Sequence, residues 1–167
     1  RSPGVDPVRL LNVVGELSLV AGAPGLVGGQ VVDLECEGKE VDLETLEYIH
    51  LHKTGALLKA CVRTGAMIGG ANEKLLQALT IYAEGIGLAF QIIDDILDLT
   101  SSSETLGKTA GKDLLADKTT YPKLLGMEES KKRAFDLVEK AKKAISPWGS
   151  DAKYLICLAD FITNRDR

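Results

Sequence analysis

Apolar residues recur at three- and four-residue intervals along most of the chain, interrupted by short clusters of glycine, proline and polar residues. That period is the signature of helices with one buried face. Asp6 before Pro7 predicts an N-cap and a first turn, opening a helix through VRLLNVVGELSLV that stops at Gly22. After APG, a shorter helix is expected over 26–34. The polar loop CEGKEVD follows, then a long periodic segment over 43–68 that Gly69 and Gly70 terminate. Asn72 can cap the next helix, whose pattern continues to Leu99. SSSETLGKTAGKDLLADK reads as a polar loop and YPKLLG as a short helical turn. The last two helices are expected over 128–145 and 151–163, separated by SPWGS. There is no internal repeat, and no alternating run is strong enough to predict a sheet. The expected fold is all-α, one helical domain over 1–167.

Composition sharpens that picture. The chain is 45% hydrophobic with 5% aromatic residues, which suits packed helices better than sheets. Its net charge of −4 and the lack of a basic stripe speak against nucleic acid as a partner. Charges break the apolar runs short of the roughly 18 to 20 residues that a bilayer needs, so no membrane span is expected. Cys36, Cys61 and Cys157 are odd in number and widely spaced, which signals neither a zinc site nor a disulfide framework.

Candidate chemistry begins with QIIDDILDL at 91–99. On a helix Asp94 and Asp98 share a face, and Asp95 lies about 100° round from Asp94. The same face continues back through Gln91 and Gly87, while Leu79, Ala83, Ile86, Phe90, Ile93 and Leu97 form an apolar stripe. A solvated acidic patch is the bland reading. Against it, the aspartates fall in the expected last turn, where the helix dipole disfavours anions, and their mutual repulsion should raise at least one pKa. A divalent cation relieves both, and oxygen-only donors suit Mg²⁺. Lys108, Lys112 and Lys118 follow at a spacing that lets them fold back toward phosphate. In HLHKTGALLKAC, Lys53 and Thr54 fall in the stripe of Leu46, Ile49, Leu57, Ala60, Cys61 and Ile68. A lysine there is costly unless it meets an anion; snorkelling, a kink and a ligand role all stay open. His50 and His52 read as packing or surface histidines. Gln30 and Asp33 make a polar pair on one face of the short second helix.

These stretches resemble one family. GLAFQ, DDILD and GKTAGKDLLADKTTYPKLLG look like the second aspartate-rich motif and lysine loop of the trans-isoprenyl diphosphate synthases, the polyprenyl synthetases. GLVGGQVVDL and HLHKT match the same family in the same order. LEYIHLHKT and GKDLLADKTTYPKLLG make plant geranylgeranyl diphosphate synthases the members it most resembles. The resemblance implies an antiparallel helix bundle around a central cavity, as a homodimer or a heteromer with a synthase subunit. It also implies Mg²⁺-dependent head-to-tail condensation of isopentenyl diphosphate with an allylic diphosphate. Carried over residue by residue, Asp94 and Asp95, with Asp98 assisting, would bind Mg²⁺. Lys53 and Lys118 would contact the allylic diphosphate, with Lys108 close by. Thr54 and Gln91 would line the cavity near the developing cation, and Gln30 and Asp33 would face the same space. Plastids are the implied compartment, the cytoplasm otherwise.

The family also carries a first aspartate-rich motif on an earlier helix, and an arginine pair after it. This sequence has one DDxxD, and RSPGVDP begins beyond the place of the other, so the resemblance covers the C-terminal half. The expectation is a piece of a synthase that is inactive alone and exposes apolar stripes. The alternatives are a non-catalytic or regulatory subunit and a plain helical Mg²⁺-binding scaffold. Product chain length is not legible.

Overall fold

The computed structural model describes residues 4–105 and 118–165, with 101–105 described in backbone only. All regular structure among them is helical. Helix α1 (Pro7–Ala21) starts where predicted, with the Asp6 carboxylate accepting from Val8 N at 2.9 Å, and ends at Gly22. Helix α2 spans Leu26–Glu35. Helix α3 (Leu43–Ile49) is capped by Asp42, whose side chain accepts from Thr45 N at 2.9 Å. A π-helical segment, His50–Gly55, joins it to α4 (Ala56–Gly69). Gly70 then turns the chain in the left-handed region at φ 81°, where a side chain would be strained. Helix α5 runs over Glu73–Thr105, with Asn72 accepting from Leu75 N at 2.9 Å. The remainder is α6 (Tyr121–Leu125), α7 (Met127–Ile145), a 3₁₀ segment (Ser146–Ala152) and α8 (Lys153–Asn164).

Two expectations are corrected. The helix bearing the aspartates does not stop at Leu99: it continues to Thr105, and Thr100 turns its hydroxyl back onto the carbonyls of Ile96 and Leu97 at 3.1 Å each. Asp98 therefore lies about two turns inside the helix, out of reach of the terminal dipole. The segment over 43–68 is not one uniform α-helix either. A π segment widens the turn and sets the helix back by about one residue. Leu57, Cys61 and Ile68 consequently face outward, while Val62 and Ala66 pack on the core and Ala56 and Ala60 turn toward Val20 of α1.

Helix α5 is the axis of the molecule, packed on α7, α4, the π segment and α8. Leu79, Ala83, Ile86 and Ile93 are buried and Phe90 and Leu97 partly so, as the stripe predicts. Tyr82, Leu88, Ala89, Ile92 and Ile96 are buried as well, so the stripe widens to most of the circumference. A large apolar side chain moved from water into this core stabilises the fold by about 1.5–3 kcal/mol. The Tyr82 hydroxyl finds its partner in Leu155 O at 2.6 Å and ties α5 to α8, while burial pushes its pKa well up.

The apolar face of α1 is open, with Leu11 70% exposed and Val8 and Val14 beside it; Val27 and Val31 of α2 are also exposed. Two stretches, Pro7–Glu35 and Glu73–Thr100, are long and apolar enough to cross a membrane by length and composition alone. Neither stretch contradicts the expectation of no membrane span. The second is the core helix α5, and the first is two helices of 15 and 10 residues separated by a turn.

Candidate functional site

A cleft of about 490 Å³ opens between α2, the π segment, α5 and the chain at 118–119, lined among others by Asp33, Lys53, Gln91, Asp94, Asp95, Asp98 and Lys118. Its walls differ in charge.

The first wall depends on how closely α2 lies against the π segment. A Cβ on Gly29 would come within 2.3 Å of Lys53 N, so only glycine permits this approach. The contact brings Asp33, 8% exposed, under two lysines: Lys53 Nζ donates to Oδ2 at 2.5 Å and Lys118 Nζ stands 3.3 Å from Oδ1. Burial alone would push the Asp33 carboxyl up. The hydrogen bond from Lys53 and the charges of Lys118 and Lys53 more than offset it, leaving the carboxyl below its ordinary value. Of the readings open for Lys53, two hold together: the helix changes its winding there, and the lysine meets an anion supplied by its own chain. Gln30, on the same helix as Asp33, is partly buried and is not among the residues lining the cleft.

On the second wall the three aspartates are not equivalent. Thr54 Oγ1 donates to Gln91 Oε1 at 3.3 Å, and Gln91 Nε2 donates to Asp94 Oδ2 at 3.2 Å. The other oxygen of Asp94 accepts from the Arg165 guanidinium. Asp95 engages through one oxygen: Oδ2 accepts from Tyr121 N at 2.9 Å and faces His50 Nε2 at 3.4 Å. It thus satisfies a first-turn amide of α6, one of the donors that a helix leaves without an internal partner. Asp98 is exposed and has no hydrogen bond or ion pair among the described residues. Burial raises the Asp94 pKa, and the charges of Asp98 and Asp95 add to it against the opposing Arg165. The repulsion argument expects that direction.

Among the described residues no three His, Cys, Asp or Glu side chains converge into a ready-made metal cage. The donors still suit Mg²⁺, which takes one or two carboxylates and completes its shell with water and phosphate oxygens. Asp94, Asp95 and Asp98 line the cleft and are the carboxylates that could supply them. Lys108 and Lys112 lie outside the described residues.

Four residues escaped the sequence reading. Tyr121 is fully buried, its ring stacked on His50 with centroids 5.7 Å apart and its hydroxyl donating to Glu47 Oε1 at 3.1 Å. Arg133 pairs with the same Glu47, and Arg165 closes over Asp94. His50 is buried, as a packing histidine should be, but it also faces Asp95. A hint was available for Tyr121: the YP start of a helical turn implies orphan amides needing an acceptor.

A family model described as polyprenyl synthetase matches residues 8–149. The chain belongs to the polyprenyl synthetase family. It is 54% identical over 166 residues to the dimethylallyltranstransferase of Fischerella ambigua, covering 99% of this chain and 48% of the relative. It is 53% identical over 165 residues to the chloroplastic geranylgeranyl pyrophosphate synthase of Capsicum annuum, covering 98% of this chain and 45% of the relative. The crystal structure of the geranyltransferase from Helicobacter pylori complexed with magnesium and isoprenyl diphosphate aligns with a TM-score of 0.76 at 28% identity, over 96% of this chain and 53% of that one. The polyprenyl synthetase resemblance read from the motifs is therefore borne out, and the all-α fold with it. The chain spans about half the length of the curated relatives it matches.

Proposed function

We propose that this polyprenyl synthetase chain carries one side of the diphosphate site of a geranylgeranyl-type synthase. The reaction is head-to-tail condensation of isopentenyl diphosphate with an allylic diphosphate in isoprenoid biosynthesis. The observation that carries the reading is the cleft itself, where Lys53 and Lys118, held by Asp33, lie across from Asp94 and Asp98. A diphosphate fits between cations on one wall and a carboxylate-held divalent ion on the other.

In this reading Lys53 and Lys118 take up charge as the allylic C–O bond breaks and the diphosphate departs. Mg²⁺, held by Asp94 and Asp98, would add Lewis-acid neutralisation of the leaving group when bound. Asp95, anchored through Oδ2 to Tyr121 N and beside His50, would offer its other oxygen to the same ion. Thr54 and Gln91 hold Asp94 in place and present polar atoms near the developing allylic cation. The isopentenyl double bond attacks that cation, and a proton is lost to the released diphosphate. No nucleophilic side chain takes part. The chloroplastic relative supports a plastid location, and the partner in assembly is a second copy or another synthase subunit.

A second reading, a non-catalytic subunit that modifies a complete synthase, is favoured by the open apolar faces of α1 and α2, which a partner subunit would cover. One assay separates the two. The full chain is incubated with labelled isopentenyl diphosphate, an allylic diphosphate and Mg²⁺, alone and mixed with a complete synthase. The first reading expects Mg²⁺-dependent binding of the allylic diphosphate without product from the chain alone; no such binding sinks it, and clear product alone would overturn the expected inactivity. Altered output of the mixture supports the second reading, and an unchanged mixture sinks it.

A further inference from the structure

Arg165 sits one residue beyond α8 and outside the region matched by the family model. Its backbone is extended (φ −76°, ψ 142°), so it leaves the helix and turns back onto α5. The guanidinium lies over the Phe90 ring, 4.1 Å from the centroid; its Nη2 donates to Phe90 O at 3.1 Å and pairs with Asp94 Oδ1. The side chain is 11% exposed, yet Nε is buried with no acceptor. One nitrogen makes both contacts, so this is not the two-pronged fork that gives arginine–carboxylate pairs their strength. A buried donor left without a partner weakens the seat further.

The seat can be vacated without unfolding what precedes it. Ala159 and Ile162 hold α8 in the core, Lys142 Nζ meets Asp160 Oδ1 at 2.7 Å, and Asn164 Nδ2 closes on Asp160 O at 2.7 Å. Arg165 itself is tied down through its side chain, by Phe90 and Asp94. Meanwhile both oxygens of Asp94 are engaged, one by Gln91 and one by Arg165. Each oxygen of Asp94 keeps a lone pair that a cation could use, but a cation shared with Asp98 would come up against the groups already seated there. Gln91 is neutral and can rotate aside, whereas the guanidinium would be left facing a divalent ion inside a half-buried site.

We infer that Arg165 and a divalent cation compete for Asp94, making Arg165 a positioning residue that holds the acidic wall until metal arrives and is released when it does. The inference rests on the proposed function, because it needs Asp94 and Asp98 to bind the ion. By linkage the effect is reciprocal: seated arginine weakens the metal, and metal loosens the arginine.

The test is calorimetric titration of the full chain with MgCl₂. Arg165→Gln is expected to bind Mg²⁺ about five- to twentyfold more tightly than the unaltered chain, in the range of ordinary coupling between sites. Arg165→Lys, which keeps the charge, should fall between them. A second arm uses the unaltered chain, so it does not depend on a variant folding. Amide exchange over 163–165 should accelerate as Mg²⁺ is added, with the calorimetric midpoint. Unchanged or weaker Mg²⁺ binding in Arg165→Gln, or exchange indifferent to Mg²⁺, overturns the competition. If Asp98→Asn loses Mg²⁺ while Arg165→Gln matches the unaltered chain, the site reading stands and the competition alone fails. Absence of Mg²⁺ binding in every form removes both.

Discussion

A carboxylate buried as deeply as Asp33 costs about 3–5 kcal/mol when its partner is removed, because the charge is then left uncompensated. Lys118 still faces Asp33 once Lys53 is gone, and Lys53 is itself part exposed, so compensation and solvent screening both lower that expectation. Lys53→Met should therefore destabilise the fold by about 1–3 kcal/mol in urea unfolding. Asp33→Leu combined with Lys53→Met should recover much of the loss, since the charge then left over is that of Lys118, which is largely exposed. Acidification tests the same pair. The folded-state pKa of Asp33 is lowered, so its contribution is fully present above the unfolded value near ~3.9 and is lost as the pH falls through the lower folded value. Below about pH 4 the urea midpoint of the natural chain should fall more steeply than that of Asp33→Asn. The residues of this site were unevenly legible in the sequence. Asp94, Asp98 and Gln91 stand at helical spacing, whereas Thr54 meets Gln91 across 37 positions, a contact the motif reading did not specify. Arg165 reaches Asp94 across 71 positions and Tyr121 reaches Asp95 across 26, contacts that no local period encodes.

Elements were read more fully than their joints. Asp6, Asp42, Asn72, Gly22 and Gly70 mark helix ends by local chemistry, and the helices start or stop beside them. The π segment gave no such sign, because HLHKTG carries the same apolar spacing whether it winds as α or π; the close fit of Gly29 to Lys53 and of Gly87 to Gly55 constrains it. Gly29→Ala tests that constraint. Its Cβ would drive α2 off the π segment, with a loss of about 1–3 kcal/mol from overpacking and a weakened Lys53–Asp33 contact. Diphosphate affinity should fall together with the urea midpoint; a variant that keeps both would show that α2 does not position Asp33. At the junction of α5 and α8, Tyr82→Phe leaves Leu155 O without its buried donor. A loss of about 1–2 kcal/mol in urea unfolding is expected.

Across the whole molecule, charge and apolar surface are segregated. The cleft gathers lysines and aspartates on opposite walls, while α1 and α2 carry exposed Val and Leu side chains of the sort that mark an interaction surface. The helical fold was legible from periodicity, as was the shared face of Asp94 and Asp98. The cleft was not, since it exists through the packing of α2, the π segment and α5, which are distant in sequence. The central claim is that this cleft holds a diphosphate between Lys53 and Lys118 on one side and a carboxylate-bound Mg²⁺ on the other. Calorimetric titration of the full chain with an allylic diphosphate, with and without Mg²⁺, tests it most directly. The account predicts binding that requires Mg²⁺ and drops at least tenfold, about 1.4 kcal/mol, in both Lys53→Gln and Asp98→Asn. Binding of equal strength without Mg²⁺, or undiminished in both variants, would contradict it.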